Sequence, residues 1–313
     1  MKSFWDNLST LTALIAIMLV AVAGLSVLKT FDIQRNLVNL IVAMLLGALI
    51  ASFIAVFLRT LTKNPATLKV ALLGEKGSGK TVYLTVLFRE LQLLGTGYIS
   101  FQPYGVETIE MVNSNLNILA RGEWLPSTPA GTVSVFRANA KVGSGLFMKR
   151  YTLDFGDYAG EHMGELDSKD ARWLHKTEYF DYVIGADAIF LVMDSIRIIG
   201  GDRVEIECIQ NRLIAAFQVL LTQKRIPIEH RIKIPICLIV MKSDLLRLKN
   251  LSENDVLERI QNLINVCKAR CQSFNIFFVS SVGKLGLNES PPEVLLPRNV
   301  TEPIIWTIRN VRM

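Results

Sequence analysis

The sequence predicts an α/β fold, a mostly parallel sheet with helices on both faces, preceded by two transmembrane helices. Short apolar runs alternate with stretches of helical periodicity from Leu68 onward, which is typical of a parallel sheet. Several of these runs are nearly continuously apolar, as expected of strands buried on both faces. Two long uncharged runs precede Leu68. We therefore expect a transmembrane hairpin at residues 1–60, a linker at 61–67 and one α/β domain at 68–313.

The two uncharged runs extend from Leu8 to Leu28 and from Leu37 to Leu58. Each has about 21 residues, which at about 1.5 Å per residue is enough to cross a hydrocarbon core of about 30 Å. Because the polar bend between them is short, both ends of the hairpin should lie on one side of the membrane. That side carries Lys2, Arg59, Lys63 and Lys69, against Lys29 and Arg35 in the bend. This bias predicts a cytoplasmic domain; a cleavable signal peptide at residues 1–23 is the alternative.

Composition narrows the possible partners. The chain has 313 residues, a net charge of +6 and a mean hydropathy of +0.35, with the apolar excess in the first sixty residues. Lysine and arginine are spread along the chain without a basic run or interleaved aromatic residues, so we expect no nucleic acid partner. The charge fits an anionic membrane surface instead. The four cysteines and three histidines lack metal-ligand spacing, and we expect reduced, structural thiols.

A glycine-rich loop follows the first strand of the domain. Residues 74–81, GEKGSGKT, match G-x-x-x-x-G-K-[ST] between an apolar run and a helical stretch, the context of a phosphate-binding P-loop. Positive φ angles at Gly74, Gly77 and Gly79 would turn successive N–H groups toward a phosphate chain. Lys80 would contact the β- and γ-phosphates, and Thr81 would hold a Mg²⁺ ion. The predicted nucleotide-binding residues of the loop are Gly74, Glu75, Lys76, Gly77, Ser78, Gly79, Lys80 and Thr81.

A helix and a loop rich in proline and glycine come next. Residues 113–126 have an apolar helical face with Leu116 and Leu119. In the loop STPAGT that follows, a threonine can close over the γ-phosphate and Mg²⁺ and let go after hydrolysis. We prefer Thr128 for this role, with Thr132 close behind; a plain turn before a strand is the alternative.

Apolar and polar residues alternate in the segments 132–142 and 146–157, which predicts a β-hairpin. Its second strand ends in Asp157, which is followed by Gly160 at the spacing D-x-x-G. A carboxylate at a strand end suits a Mg²⁺ ion held through water, and a glycine N–H can contact the γ-phosphate. We expect these roles for Asp157 and Gly160.

Three buried strands are predicted in the rest of the chain, at residues 184–194, 234–240 and 274–281. Helices are predicted between them and at the C-terminus, at residues 203–221, 253–271 and 299–311. Polar residues follow two of the strands: Met241-Lys242-Ser243-Asp244 and Ser280-Ser281. In a parallel sheet with helices on both faces, ligand loops lie at the carboxyl ends of the strands.

The chain resembles TRAFAC-type P-loop GTPases, the group related to translation factors. The resemblance lies in the order of its motifs: the P-loop, the threonine loop, D-x-x-G, MKSD and the Ser-Ser segment. The details GEKGSGKT, the segment at residues 124–129, DYAGE and NVTEPIIW are similar to bacterial double-GTPase-like proteins, a group associated with predicted defence systems. The resemblance implies a P-loop GTPase domain at residues 68–313, with GTP and Mg²⁺ as ligands. Together with the hairpin, it implies the bacterial inner membrane, with the nucleotide domain in the cytoplasm.

The resemblance also implies roles in base recognition. Asp244 would accept hydrogen bonds from the guanine N1 and exocyclic amine, Lys242 would lie along the base, and Ser281 would contact O6. Met241 departs from the family pattern, which has Asn or Thr at this position to tie the base loop to the P-loop. A lost hydrogen bond costs on the order of 1 kcal/mol, so guanine preference can survive with weaker affinity.

For catalysis, the resemblance points to Lys80 and to the residues after D-x-x-G. The family places a water-orienting side chain there, and the chain has Glu161 followed by His162. Both stay open as candidates, as does a group supplied by a partner.

The predicted function is a membrane-anchored GTP-binding switch that hydrolyses GTP. Its expected partners are a guanine nucleotide, the bilayer, and a protein effector or a second copy in nucleotide-dependent self-association. Two alternatives remain: an ATP-dependent P-loop NTPase, because Met241 weakens the guanine pattern, and a nucleotide-binding scaffold without turnover.

Overall fold

The structure is a computed structural model that describes residues 46–55, 65–93, 99–127, 133–143, 148–158, 178–283, 290–292 and 294–311. The chain divides into two compact units, Met1–Asn64 and Pro65–Met313. In the first unit residues 46–55 are described, and they are helical. None of the helices in the described ranges is long and apolar enough to span a bilayer. The first predicted span and both ends of the second lie outside those ranges.

Within the described residues, the second unit is organised around a seven-stranded sheet with the order β2-β3-β4-β1-β5-β6-β7. Its strands are β1 Ala66–Gly74, β2 Ile99–Pro103, β3 Val133–Val142, β4 Lys149–Tyr158, β5 Ala188–Asp194, β6 Ile236–Met241 and β7 Phe274–Phe278. Strands β4, β1, β5, β6 and β7 run parallel. Strand β3 pairs antiparallel with both β2 and β4. The mostly parallel sheet and the hairpin of β3 and β4 are confirmed.

The central strands are apolar because both of their faces are covered. Every residue of β5 and β6 is buried, and so are the last five residues of β1. The described helices are α1 Lys80–Leu93, α2 Val106–Ala120, α3 Glu178–Ile184, α4 Ser195–Gly200, α5 Arg203–Gln223, α6 Ser243–Leu248, α7 Glu253–Arg259, α8 Gln261–Arg270 and α9 Glu302–Asn310. Helices α1, α2 and α9 contribute to one hydrophobic core, and α5, α7 and α8 to a second. Two separate cores confirm the prediction of helices on both faces.

The structure differs from the predicted elements at β2. This edge strand pairs with β3 from Ile99 opposite Val142 to Pro103 opposite Ala138. The sequence does not predict this strand, because five residues that end in proline carry little periodicity. Proline is tolerated there because an edge strand has one row of N–H groups without ladder partners.

A second difference is the break in the helix predicted at residues 253–271. It is divided at Ile260 into α7 and α8. The side chain of Gln210, from α5, lies in the break: its Nε2 donates to the Arg259 carbonyl at 2.9 Å, and its Oε1 accepts from the Leu263 N–H at 3.3 Å. In a continuous helix that carbonyl and that N–H would bond each other, so the inserted amide replaces one helical hydrogen bond.

The helix predicted at the C-terminus is confirmed as α9, and it packs on the sheet. Ile304 and Ile308 are buried, and the Trp306 ring meets the Phe277 ring edge to face with centroids 6.0 Å apart. Trp306 therefore belongs to the packing of α9 against β7.

Candidate functional site

The P-loop connects β1 to α1 and has the backbone that its glycines predict. Gly77 has φ 76° and Gly79 has φ 90°, both in the region that glycine favours. The Ser78 hydroxyl donates to the Glu75 carbonyl at 2.8 Å and closes the loop. The prediction of a positive φ at Gly74 is wrong. Glycine is needed there because a Cβ would stand 2.5 Å from the carbonyl oxygen of Val192, on neighbouring β5.

Lys80 begins α1 and points back into the loop. Its Nζ donates to the carbonyls of Gly74 and Glu75, at 2.9 Å each. Burial lowers the pKa of Lys80 to about 8, against the opposing effect of the Asp157 and Glu75 carboxylates. Two backbone oxygens of the loop thus hold the ammonium group. It can exchange these hydrogen bonds for bonds to a phosphate bound in the loop.

Thr81 and Asp157 meet beside the loop. The Thr81 hydroxyl donates to Asp157 Oδ2 at 2.6 Å. Asp157 is fully buried, and its Oδ1 has no hydrogen-bonding partner among the described residues. Burial raises the pKa of Asp157, while the Thr81 hydroxyl and the Lys80 charge act in the other direction. A hydroxyl and a buried carboxylate are the oxygen donors that Mg²⁺ accepts, so the pair fits the predicted metal site.

Glu75 and Lys76 differ in their orientation. The Glu75 carboxylate is buried, and it accepts from Arg197 Nη1 at 2.6 Å and from Arg212 Nη1 at 2.8 Å. The Glu75 side chain therefore binds two arginines of the protein, whereas its backbone remains part of the loop. Lys76 is exposed.

The predicted base loop follows β6. Lys242 has φ 61°, a left-handed conformation uncommon for a side chain with a Cβ. Its Nζ donates to Asp194 Oδ2 at 2.5 Å. Asp244 lies in the first turn of α6 and is partly exposed. The Ser243 N–H donates to the Val279 carbonyl at 3.2 Å, which brings this loop beside the segment after β7.

Ser281 stands in that neighbouring segment. The chain turns there through a hydrogen bond from the Gly283 N–H to the Ser280 hydroxyl, at 2.9 Å. Ser281 is buried, and its hydroxyl has no partner among the described residues. The structure thus brings the base loop and Ser281 together, as the strand order predicts.

Met241 stands where the resembled GTPases have Asn or Thr, and its side chain fills that position. It is buried, and its Cε lies 3.6 Å from the position that a Cβ on Gly79 would take. The Met241 side chain therefore lies next to the P-loop backbone at Gly79.

Five candidate site residues lie outside the described residues: Thr128, Thr132, Gly160, Glu161 and His162. Their roles stay predictions. Within the described ranges, no group of three or more histidines, cysteines and acidic residues is arranged to hold a metal ion.

Three residues around the site are absent from the sequence-based predictions. Asp194 ends β5, and the sequence could have indicated it, because it is the carboxylate directly after an apolar run. Arg197 and Arg212 carry no such signal, because they lie 122 and 137 residues from their partner Glu75.

The strand, loop and helix around Lys80, with Thr81 and Asp157 beside them, define an α/β fold with a P-loop between its first strand and first helix. Neither a protein-family model nor a curated protein matches the chain. Among solved structures, the chain is similar to the small GTPase Arl6 from Trypanosoma brucei with the bound nucleotide analogue GppNp. The two share 17% identity with a TM-score of 0.39, over 79% of this chain and 98% of that one. The loop and the sheet order define the fold class independently of this similarity.

Proposed function

We propose that the protein binds GTP with Mg²⁺ and hydrolyses it to GDP and phosphate as a membrane-anchored switch. Five buried side-chain oxygens have no hydrogen-bonding partner among the described residues, on Tyr83, Glu90, Asp154, Asp157 and Ser281. The observation that carries the proposal is that two of them, Asp157 Oδ1 and Ser281 Oγ, lie at the predicted metal and base positions. Folded proteins rarely leave buried polar atoms unpaired. One oxygen lies beside Thr81 and the other beside the base loop, so a magnesium nucleotide extended along this edge would supply partners to both.

The guanine assignment rests on the chemistry of the base loop. A carboxylate at Asp244 accepts two hydrogen bonds and donates none when ionised, which matches the N1–H and the exocyclic amine of guanine. Adenine offers an acceptor at N1 and is repelled. The packing of Met241 on Gly79 keeps this loop close to the P-loop without the hydrogen bond of the family pattern.

Hydrolysis draws on the same residues. Lys80 balances charge on the β- and γ-phosphates, and a Mg²⁺ ion at Thr81 and Asp157 would neutralise charge that develops during transfer. We propose Glu161 or His162 as the group that orients the attacking water. One of the variants Glu161→Ala and His162→Ala should then lower single-turnover hydrolysis with little change in GTP affinity, whereas wild-type rates in both would contradict this part of the proposal.

Exchanging one atom at Asp244 tests base recognition. Asn in its place keeps the carbonyl acceptor and adds an N–H donor, which matches xanthine, since xanthine has a carbonyl where guanine has an amine. We expect Asp244→Asn to lose at least tenfold in GTP affinity and to gain affinity for XTP, with Glu207→Gln as an exposed control. Binding of ATP that is indifferent to Asp244 would contradict the proposal and favour an ATP-dependent enzyme.

The proposed membrane anchor rests on the two apolar runs of the sequence. In the described part of the second run, Leu49 and Phe53 are 72% and 65% exposed, an unfavourable state in water. The full-length chain should float with liposomes and resist alkaline extraction. Release of the chain by carbonate would contradict the anchor and leave nucleotide binding as a separate question.

A further inference from the structure

The short helix α4 contacts both halves of the proposed nucleotide site. Its N-cap is Asp194, whose Oδ1 accepts from the Ile196 N–H at 2.9 Å. Its other oxygen, Oδ2, accepts from Lys242 Nζ. One buried carboxylate therefore begins the helix and holds the base-loop lysine.

Lys242 is held a second time through its backbone. The Ser195 hydroxyl, in the first turn of α4, donates to the Lys242 carbonyl at 3.0 Å. The left-handed φ of Lys242 is strained for a residue with a Cβ. Such a conformation persists only where the surroundings fix it, and here both contacts come from the start of α4.

The other end of the connection is the P-loop. Arg197 of α4 donates to the Glu75 carboxylate, and Arg212 of α5 donates to the second oxygen of the same carboxylate. Arg259 Nη1 donates to the carbonyls of Ile198 and Ile199, at 3.2 and 3.0 Å, and so holds the C-terminal part of α4. The helix is therefore fixed at its start, in its middle and near its end.

We infer that α4 sets the distance between the base loop and the P-loop, and that Asp194 and Arg197 are positioning residues for guanine affinity. This inference rests on the proposed function and adds to it. Met241 offers packing but no directional bond between the two loops. The two links through α4, from Lys242 to Asp194 and from Arg197 to Glu75, supply the directional connection.

The substitution Asp194→Asn separates the two roles of this residue. Asparagine caps helices as well as aspartate does, so α4 keeps its start, but the charge that pairs with Lys242 is lost. In the full-length chain in mild detergent, we expect GDP affinity to fall about tenfold. Affinity for inorganic tripolyphosphate, which lacks a base, should stay unchanged, and this second ligand also shows that the variant is folded.

A double-variant cycle tests whether the two links act through one element. Arg197→Gln should also weaken GDP about tenfold, and the double variant Asp194→Asn, Arg197→Gln should lose little more than either single variant. Independent links would multiply to about a hundredfold. Arg203→Gln, which removes one partner of an exposed pair with Glu207, is the control and should bind as the wild type does.

Each outcome bears on the inference. A wild-type chain without preference for guanine nucleotides over tripolyphosphate would overturn both this inference and the proposed function. Wild-type guanine preference that persists unchanged in Asp194→Asn would overturn the inference alone. Equal losses of GDP and tripolyphosphate affinity would also overturn the inference, because they indicate general damage to the site. Losses of GDP affinity that multiply in the double variant would overturn it too, because they indicate two independent contacts.

Discussion

Lys80 combines a cationic role with a buried position, and this makes nucleotide affinity depend on pH. Without nucleotide the pKa of Lys80 is about 8, and phosphates that pair with the ammonium group raise it. Above pH 8 the free protein lacks a proton that the complex holds, so binding must take up that proton. We expect constant affinity below about pH 8 and a fall approaching tenfold per pH unit above it.

Fluorescence titration of a labelled nucleotide between pH 7 and 9 measures this dependence. Lys80→Arg is the control because arginine keeps its charge over the whole range. Affinity that does not change between pH 7 and 9 in the wild type would contradict the position of Lys80 described here.

Asp157 is a residue at which stability and metal binding oppose each other. Because burial raises its pKa in the folded state, ionisation is less favourable there than in the unfolded chain. Its contribution to stability therefore falls as pH rises from the unfolded pKa through the folded one, and at neutral pH it is unfavourable without metal. We expect Asp157→Asn to stabilise the metal-free protein at neutral pH and to remove the effect of Mg²⁺ on nucleotide affinity.

Thermal unfolding with EDTA and nucleotide titration with and without Mg²⁺ test these two effects. A variant that unfolds earlier than the wild type, or one that still responds to Mg²⁺, would contradict the assignment of Asp157 as a metal ligand. Asp202→Asn serves as the control, because Asp202 caps α5 on the surface and lies outside the proposed site.

At the scale of elements, the break between α7 and α8 depends on a single side chain. Gln210 is buried and satisfies both the carbonyl of Arg259 and the N–H of Leu263. Gln210→Met keeps the volume of the side chain but leaves these two backbone groups without partners. We expect a loss of about 2 kcal/mol in the free energy of unfolding, since an unpaired buried polar group costs about 1–3 kcal/mol.

Urea denaturation measures this loss, and the same substitution at Gln218, an exposed position of α5, is the matched control. A Gln210→Met protein as stable as the wild type would show that α7 and α8 can join into the continuous helix that the sequence predicts.

At the scale of the whole molecule, ligand binding should stabilise the unit Pro65–Met313 as one body, because the proposed ligand contacts the ends of several strands. Binding to the folded state at 100 times the dissociation constant adds about 2.7 kcal/mol. For a unit of this size we expect Tm to rise by roughly 5–10 °C with Mg²⁺ and GTP. Thermal scans should show no such rise for Lys80→Ala, and a wild-type Tm indifferent to GTP would contradict nucleotide binding.

Much of the fold could be predicted from the sequence, since the described strands β1 and β3 to β7 and the helices α1, α5 and α9 match predicted elements. Their signals are local: apolar runs, helical periodicity and the glycines of the P-loop. Strand β2 and the break at Ile260 lacked such signals. The break depends on Gln210, about fifty residues earlier in the chain.

The sequence by itself determined the fold class, the phosphate loop and the polar residues at the strand ends, because glycine conformation and strand periodicity are read within a few neighbouring residues. Only the tertiary structure decided what those residues touch. Lys242 and Asp194 are 48 residues apart, and Glu75 and Arg197 are 122 apart. Such pairs form because parallel strands bring their carboxyl ends to one edge, and no local pattern encodes which side chains then meet.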